Sequence, residues 1–283
     1  MEIKGWRYYS RAAIPTTAPH EPVNTAPLTD GSIWKLTNGA GHTPMLVRWT
    51  EDFDCGCETN WWYVIKDTPF DIAELKAKRR YEINKGIKNF EIRQIVPQDC
   101  AEEICEVAFA AYEEYPAAYR PNVTREQFIN DVSQWKYQKN YGAFDVETGR
   151  LCGYALLQQD GDHMDFTVMK AIPACEKKGV NAALVYGVLK DQQSFLESGG
   201  YICDGSRSIN HETAFQDYLE KYFSFRKAYC RLHIRYKWWL AIAVKCLYPF
   251  RKRLAKINGV SAVYLVNSLL KMEGYSAKRD KCL

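Results

Sequence analysis

Residues 172–184 read Ile172-Pro173-Ala-Cys-Glu176-Lys177-Lys178-Gly179-Val180-Asn181-Ala182-Ala183-Leu184. An apolar residue and a proline end a strand that starts near residue 163. Six residues after the proline, a glycine opens an apolar helix predicted over roughly 179 to 198. Taken alone, this is an ordinary strand-to-helix turn. Its place decides the fold, because three strands precede it and the longest helix follows.

Upstream, Phe90-Glu-Ile-Arg-Gln-Ile has strand character, and residues 99 to 114 form an apolar-periodic helix. Thr124-Arg-Glu-Gln127 is a capping box, which predicts a second helix through about Lys139. Strands follow near 141 to 146 and 151 to 158, joined by the turn Glu147-Thr-Gly149-Arg. Downstream, Tyr201-Ile-Cys-Asp204 is a strand and Thr213-Ala-Phe-Gln216 caps another helix. Phe225 to Lys237 alternates apolar and basic residues as an extended segment. The order βααβββαβαβ predicts an α+β fold built around one mixed sheet flanked by helices.

Before residue 90 the texture changes. Residues 10 to 45 carry prolines at 15, 19, 22, 27 and 44 and predict extended, irregular chain. Met45-Leu-Val-Arg-Trp-Thr and Trp61-Trp-Tyr-Val-Ile65 predict a strand pair across an acidic Gly/Cys turn. Phe70 to Lys88 is rich in helix formers and strongly basic. These boundaries give an N-terminal region (1–90), a central domain (91–237) and a helical tail (238–283).

The chain has 283 residues, 47% hydrophobic, 25% charged and 14% aromatic, with a mean hydropathy of -0.40. Such values exclude a disordered, collagen-like or multi-span membrane chain. The net charge of +4 conceals a segregation: residues 226–283 carry +12 and the rest carries -8. A basic surface of this kind addresses an anionic partner, or forms a solvated helical tail. Ten cysteines are scattered mostly through apolar runs, and MEIKGWRYYSRAAIP lacks the apolar core of a signal peptide. A reducing, cytoplasmic setting is expected, with peripheral attachment at the inner membrane face as an extension of it. Cys55-Gly-Cys57 has no His cluster beside it and reads as a turn, so no metal site is expected.

Residues 90 to 237 resemble the GNAT acyltransferase superfamily. The element order and the spacing from Ile172-Pro173 to Gly179 carry the likeness. It implies that a coenzyme A pyrophosphate, from acetyl-CoA or another acyl-CoA substrate, lies on Lys177, Lys178, Gly179, Val180, Asn181 and Ala182. Lys170, Ala171 and Ile172 complete the coenzyme-binding set, with backbone N–H groups around Lys170 and Ala171 serving the carbonyl if the strand splays as the family's does. A loop free of bulky side chains lets N–H groups and a helix N-terminus face phosphates. Two residues depart from the family: Glu176 replaces the usual Arg or Gln, and Asn181 the usual Gly or Ala. A carboxylate beside a pyrophosphate is unfavourable unless Lys177 and Lys178 offset it.

The likeness continues through Asn210, Ala214 and Tyr218, with Ser224-Phe225 in place of a Gly-Phe. It implies that Tyr218 protonates the leaving thiolate, and Tyr222 is reachable one helical turn on. For a base, the residues offer Asp165, Asp204 and His211; Asp204 is favoured because it precedes the turn Gly205-Ser206-Arg207, with a structural ion pair to Arg207 as the alternative. The N-terminal part resembles FemAB-like members, which pair two such folds or a fold and a partial copy. Leu75-Lys-Ala-Lys78-Arg79-Arg80-Tyr-Glu-Ile83-Asn-Lys85-Gly carries that second likeness.

After residue 237, Trp238 to Phe250 is apolar with one lysine, and Arg251-Lys-Arg253 follows. A span needs about 20 apolar residues, so this segment is too short to cross a bilayer. It suits a helix in the headgroup region, or one packed against protein together with Val260 to Met272. Three functions remain open. The first is transfer of an acyl group from coenzyme A to the amine of a small molecule or sugar. The second is a FemAB-like transfer from aminoacyl-tRNA, and the third a non-catalytic module at a membrane surface. The irregular N-terminal segment and the loops at 115 to 122, with Tyr115-Pro-Ala-Ala-Tyr119-Arg120-Pro, and at 205 to 212 are expected at the acceptor pocket.

Overall fold

The computed structural model describes residues 1–115, 120–209, 214–257 and 261–279. In chain order the strands are β1 (Trp6–Tyr9), β2 (Ala12–Pro15), β3 (Leu46–Glu51), β4 (Trp61–Lys66) and β5 (Phe90–Gln94), then β6 (Lys139–Asp145), β7 (Leu151–Asp160), β8 (His163–Ala171), β9 (Tyr201–Ser206) and β10 (Arg226–Tyr236). The helices are α1 (Ala26–Thr29), α2 (Ala77–Asn89), α3 (Ala101–Glu113), α4 (Arg125–Ser133), α5 (Pro173–Glu176) and α6 (Val180–Asp191). They continue with α7 (Gln193–Glu197), α8 (Ala214–Phe223), α9 (Trp238–Leu247), α10 (Arg251–Leu254) and α11 (Ser261–Gly274). The chain divides into two compact units, one of residues 1–64, 206–213 and 227–283, the other of 65–205 and 214–226.

In the second unit the strands run in the order β9-β8-β7-β6-β5. All neighbours are antiparallel except β8 and β9, which are parallel. Side chains alternate across a strand, so β7 serves both faces. Tyr154 and Leu156 pack with Ile104, Val107 and Ala108 of α3 and Phe128 and Val132 of α4. Gly153, one residue away, faces α6, where an added Cβ would lie 3.0 Å from Leu184. The predicted mixed sheet flanked by helices is thus the observed one. The Thr124 capping box is formed, but α4 ends at Ser133 and not near Lys139, because Lys139 already pairs with Leu157 at the start of β6.

The first unit brings together the chain's two ends. β1 and β2 form a hairpin, β2 runs parallel to β3, and β3 pairs antiparallel with β10. The strand pair predicted from residues 45 to 65 is therefore corrected: β3 and β4 both exist, but β10 lies between them. Residues 10 to 45 are also more regular than expected, since they hold β2 and the short α1. The buried face of β3 and β10 carries Leu46, Cys230, Leu232 and Ile234 against Met272 of α11. α9 packs onto the same helix through Leu240 and Val244 against Leu270.

Candidate functional site

β8 and β9 pair only over His163–Asp165 and Tyr201–Cys203, although β8 continues to Ala171 and β9 to Ser206. The two strands therefore part beyond Asp165 and Cys203, leaving unpaired edges between them. On β8 a bulge at Thr167 shifts the register against β7, an irregularity that re-aims the strand at the point of parting. Ile172 donates its N–H to the Cys152 carbonyl at 2.8 Å. Alternation along the strand then turns the Ala171 N–H toward the parted edge and the Lys170 N–H toward β7.

Asp204 is the first residue of β9 beyond the paired stretch. Burial pushes its carboxyl up to about 7, helped by the charge of Asp165 and opposed by a hydrogen bond from Gln216 of α8. α8 carries the rest of the cluster. Phe215 meets Phe166 edge-on with ring centroids 6.3 Å apart and stacks on Tyr218 at 6.1 Å; Tyr218 lies 4.9 Å from Tyr222. Burial, with the neighbouring Tyr222 and Glu82, raises the Tyr218 phenol far above its ordinary value, so it stays protonated at neutral pH. α8 thus serves the parted strands twice, through Gln216 to the Asp204 carboxyl of β9 and through Phe215, on which Tyr218 stacks, to Phe166 of β8. Arg207, the alternative partner for Asp204, donates instead to the Asn60 carbonyl at 2.8 Å and lies over the rings of Trp62 and Tyr275 at 4.1 and 3.9 Å.

Sequence reasoning missed Gln216, which it used only as a capping partner of Thr213. It also missed that His163, Asp165 and Cys203 bring their donor atoms within 4.8 Å of one another at the paired base of β8 and β9. Asn210, His211 and Thr213 lie outside the described residues, as do residues 116–119 of the expected acceptor loop.

The segment predicted to hold a pyrophosphate is a tight turn. Pro173–Glu176 is one helical turn, and Gly179, at φ 90, starts α6. The N–H groups of Cys175, Lys178 and Gly179 donate to Ile172, Cys175 and Glu176 carbonyls at 2.9, 3.0 and 2.9 Å. Lys178 pairs with the buried Asp145 at 3.0 Å, and its own carbonyl accepts from Asn89 at 2.9 Å. The Lys170 ammonium donates to the Tyr115 hydroxyl and lies over the Tyr112 ring at 5.2 Å. Glu176 and Lys177 are exposed. α2 crosses the start of α6 so closely that a Cβ on Gly86 would stand 2.4 Å from the Gly179 carbonyl oxygen. Val180, Asn181 and Ala182, as the first residues of α6, keep N–H groups free of the helix. Three loop donors are thus spent, Lys178 is neutralised and a carboxylate stands in the turn, so what this segment offers an anion is the N-terminus of α6 and the exposed Lys177.

No protein family matches the sequence, and no curated protein does. Solved structures do match in fold. The C-terminal domain of a protein assigned as a lysylphosphatidylglycerol synthetase from Agrobacterium fabrum aligns over 85% of this chain and 82% of its own, at 13% identity and a TM-score of 0.50. The structure of L-PGS from Bacillus licheniformis aligns over 86% and 83%, at 11% identity and a TM-score of 0.51. FemX aligns over 79% and 81%, at 9% identity and a TM-score of 0.50. Each of these matches spans both compact units, and the chain is similar in fold to lysylphosphatidylglycerol synthetase C-terminal domains and to FemX.

Proposed function

We propose that the chain transfers an aminoacyl group from the ester of an aminoacyl-tRNA to the amine of a small molecule or sugar, at the parted edges of β8 and β9. The carrying observation is the buried Asp204 carboxyl, poised near neutral pH where β8 and β9 part, with α8 and its protonated Tyr218 packed against β8 through Phe215. In this reading Asp204 accepts a proton from the acceptor amine as its nitrogen attacks the ester carbonyl. The C–N bond forms, the C–O bond breaks, and Tyr218 gives its proton to the departing ribose oxygen. The Ala171 N–H is the backbone donor that would face the carbonyl oxygen as negative charge develops there. Tyr222 supports Tyr218 as a neighbouring phenol.

A thioester of coenzyme A would suit the same strand edges, but the 173–179 turn spends three of its N–H groups internally, pairs Lys178 with Asp145 and carries Glu176, which favours the tRNA ester as donor. The exposed basic side chains of α2 and the residue that caps its start, among them Lys76, Lys78 and Lys88, support a polyanionic donor. The aromatic and basic C-terminal helices support attachment to an anionic membrane. Among the described residues no helix is long and apolar enough to cross one.

The test uses the purified full chain with bulk tRNA charged with radiolabelled amino acids, against acetyl-CoA, over a panel of amino-sugar and amine acceptors. Label should move from tRNA to an acceptor, and acetyl-CoA should leave the melting temperature unchanged. A ligand at 100 times its Kd would add about 2.7 kcal/mol, so a clear rise with acetyl-CoA that is lost in Gly179→Leu would return the donor to coenzyme A.

A further inference from the structure

In the unit formed by the two ends of the chain, an apolar pocket of about 390 Å³ opens between the β1–β2 turn, β3, α9 and α11. Its size falls in the range of small-molecule sites, about 300–1,000 Å³. Leu46, Leu240, Leu269 and Met272 wall it, and two arginines, Arg11 and Arg48, are set into that lining. Arg48 is out of place by the logic of the strand. It lies two residues from Leu46 and directly across from Ile234, a register position on the buried face where an aliphatic side chain is expected. Burial lowers its pKa, and only the phenols of Tyr63 and Tyr9 oppose that effect. Among the described residues no hydrogen bond or ion pair engages its guanidinium. A guanidinium stays charged and offers five donors in a fixed fork. Removing it from water without a partner is costly.

The turn at the rim is strained as well. Ser10 and Arg11 have φ of 45° and 66°, so a two-residue hairpin loop that ordinarily uses Asn-Gly is built here from residues that resist the left-handed region. Strain of this kind persists where the surroundings hold it, commonly at ligand clamps. It sets Arg11 at the rim of the pocket whose lining also holds Arg48.

We infer that this pocket binds an anionic amphiphile: an oxyanion headgroup, phosphate or carboxylate, on Arg48 and Arg11, and a single alkyl chain against Leu240, Leu269 and Met272. Forked donors match such an oxyanion in bidentate fashion, and the ligand supplies the charge that the strand leaves unpaired. The inference does not rest on the transfer chemistry, whose residues belong to the other unit.

Calorimetric titration of the full chain with dodecyl phosphate below its aggregation limit tests it, with dodecyl maltoside and inorganic phosphate as the separated halves of the ligand. Dodecyl phosphate should bind at least about tenfold more tightly than either half, since a charge-assisted contact to a half-buried guanidinium carries that much. Arg48→Met should remove this preference while its melting temperature holds or rises. Arg11→Gln, at the exposed rim, provides a second reading should the first variant fail to fold, and it too should weaken dodecyl phosphate. Vesicles of phosphatidylcholine with and without phosphatidic acid separate the sources. Binding to the anionic vesicles that is lost in Arg48→Met marks a bilayer lipid, and discrimination with dodecyl phosphate alone marks an amphiphile taken from solution. Equal affinity of wild type and both variants, inorganic phosphate bound as tightly as dodecyl phosphate, or no binding of dodecyl phosphate overturns the inference.

Discussion

Asp204 has an ordinary carboxylate value of about 3.9 when the chain is unfolded and titrates near 7 in the folded chain. Between about pH 4 and pH 7 the folded protein holds a proton that the unfolded one has released, so this group lowers stability as pH rises through that window. Asp204→Asn should therefore melt above wild type at pH 8, with the gap closing toward pH 4. Its transfer rate should fall by about 10²–10⁴, the usual contribution of a positioned base, and wild-type activity should rise with pH and level off above about 7. A melting gap that is the same at both pH values would mean the carboxyl is not held protonated. Gln216 is a positioning residue in this scheme: its hydrogen bond is what lowers the Asp204 value, so Gln216→Leu should move the inflection of the pH–rate profile upward while Asp204 remains able to act. The place of Asp204 near the end of its strand was legible in the turn that follows it. Gln216 stayed hidden because its partner is one that only the tertiary fold supplies. Ser224 shows the reverse case. Its φ of 56° lies in the left-handed region that favours glycine, and Ser224→Gly should stabilise the chain by about 0.5–1 kcal/mol in denaturant unfolding.

At the scale of elements, local pattern sufficed wherever the partner of a strand is also its neighbour in sequence. β6, β7 and β8 form an antiparallel meander, and their period-two alternation and intervening turns announce it. It failed where pairing is remote. β10 enters between β3 and β4 from about 170 residues downstream, and nothing within residues 45 to 65 encodes that insertion. The β1–β2 hairpin escaped notice for a different reason: Ser10-Arg11 carries none of the Gly or Asn that signals such a turn. The crossing of α2 over α6 was equally silent, since a glycine in a basic helix reads as a weak spot. Its purpose is contact. A methyl on Gly86 would meet the Gly179 carbonyl oxygen at 2.4 Å and the Ala183 amide nitrogen at 2.9 Å, both backbone. Gly86→Ala should cost about 1–3 kcal/mol, read as a lower denaturant midpoint at unchanged slope, although alanine is the better helix former. A neutral result would mean that the two helices are not in contact at this point.

Across the whole molecule, charge is divided between two basic stretches that suit two kinds of polyanion. One is α2 with the residue that caps its start, where Lys76, Lys78 and Lys88 are exposed. The other is the C-terminal set Lys245, Arg251, Lys252, Arg253 and Lys256, which accompanies an unusual apolar exposure: Trp238 is 75% and Ile242 57% exposed, one helical turn apart on the side of α9 opposite Leu240 and Val244. Apolar side chains facing water beside lysine and arginine describe a helix suited to a headgroup layer. A nucleic acid rewards charge alone, through counterion release, whereas a bilayer also rewards the buried tryptophan and isoleucine. The two partners can therefore be separated on one protein. Replacing Lys76, Lys78 and Lys88 with glutamate should flatten the salt dependence of tRNA binding, whose slope follows the number of phosphates neutralised, and leave vesicle binding intact. Trp238→Ser with Ile242→Ser should release the chain from anionic vesicles and leave tRNA binding intact. Each basic residue near an anionic surface adds about 1 kcal/mol at moderate salt, so Lys252→Glu with Arg253→Glu should weaken vesicle binding by well over tenfold. If the α2 triple variant instead lost vesicles, or the α9 variant lost tRNA, the assignment of one polyanion to each stretch would fail, and the segregation of charge would have to be read as a single surface.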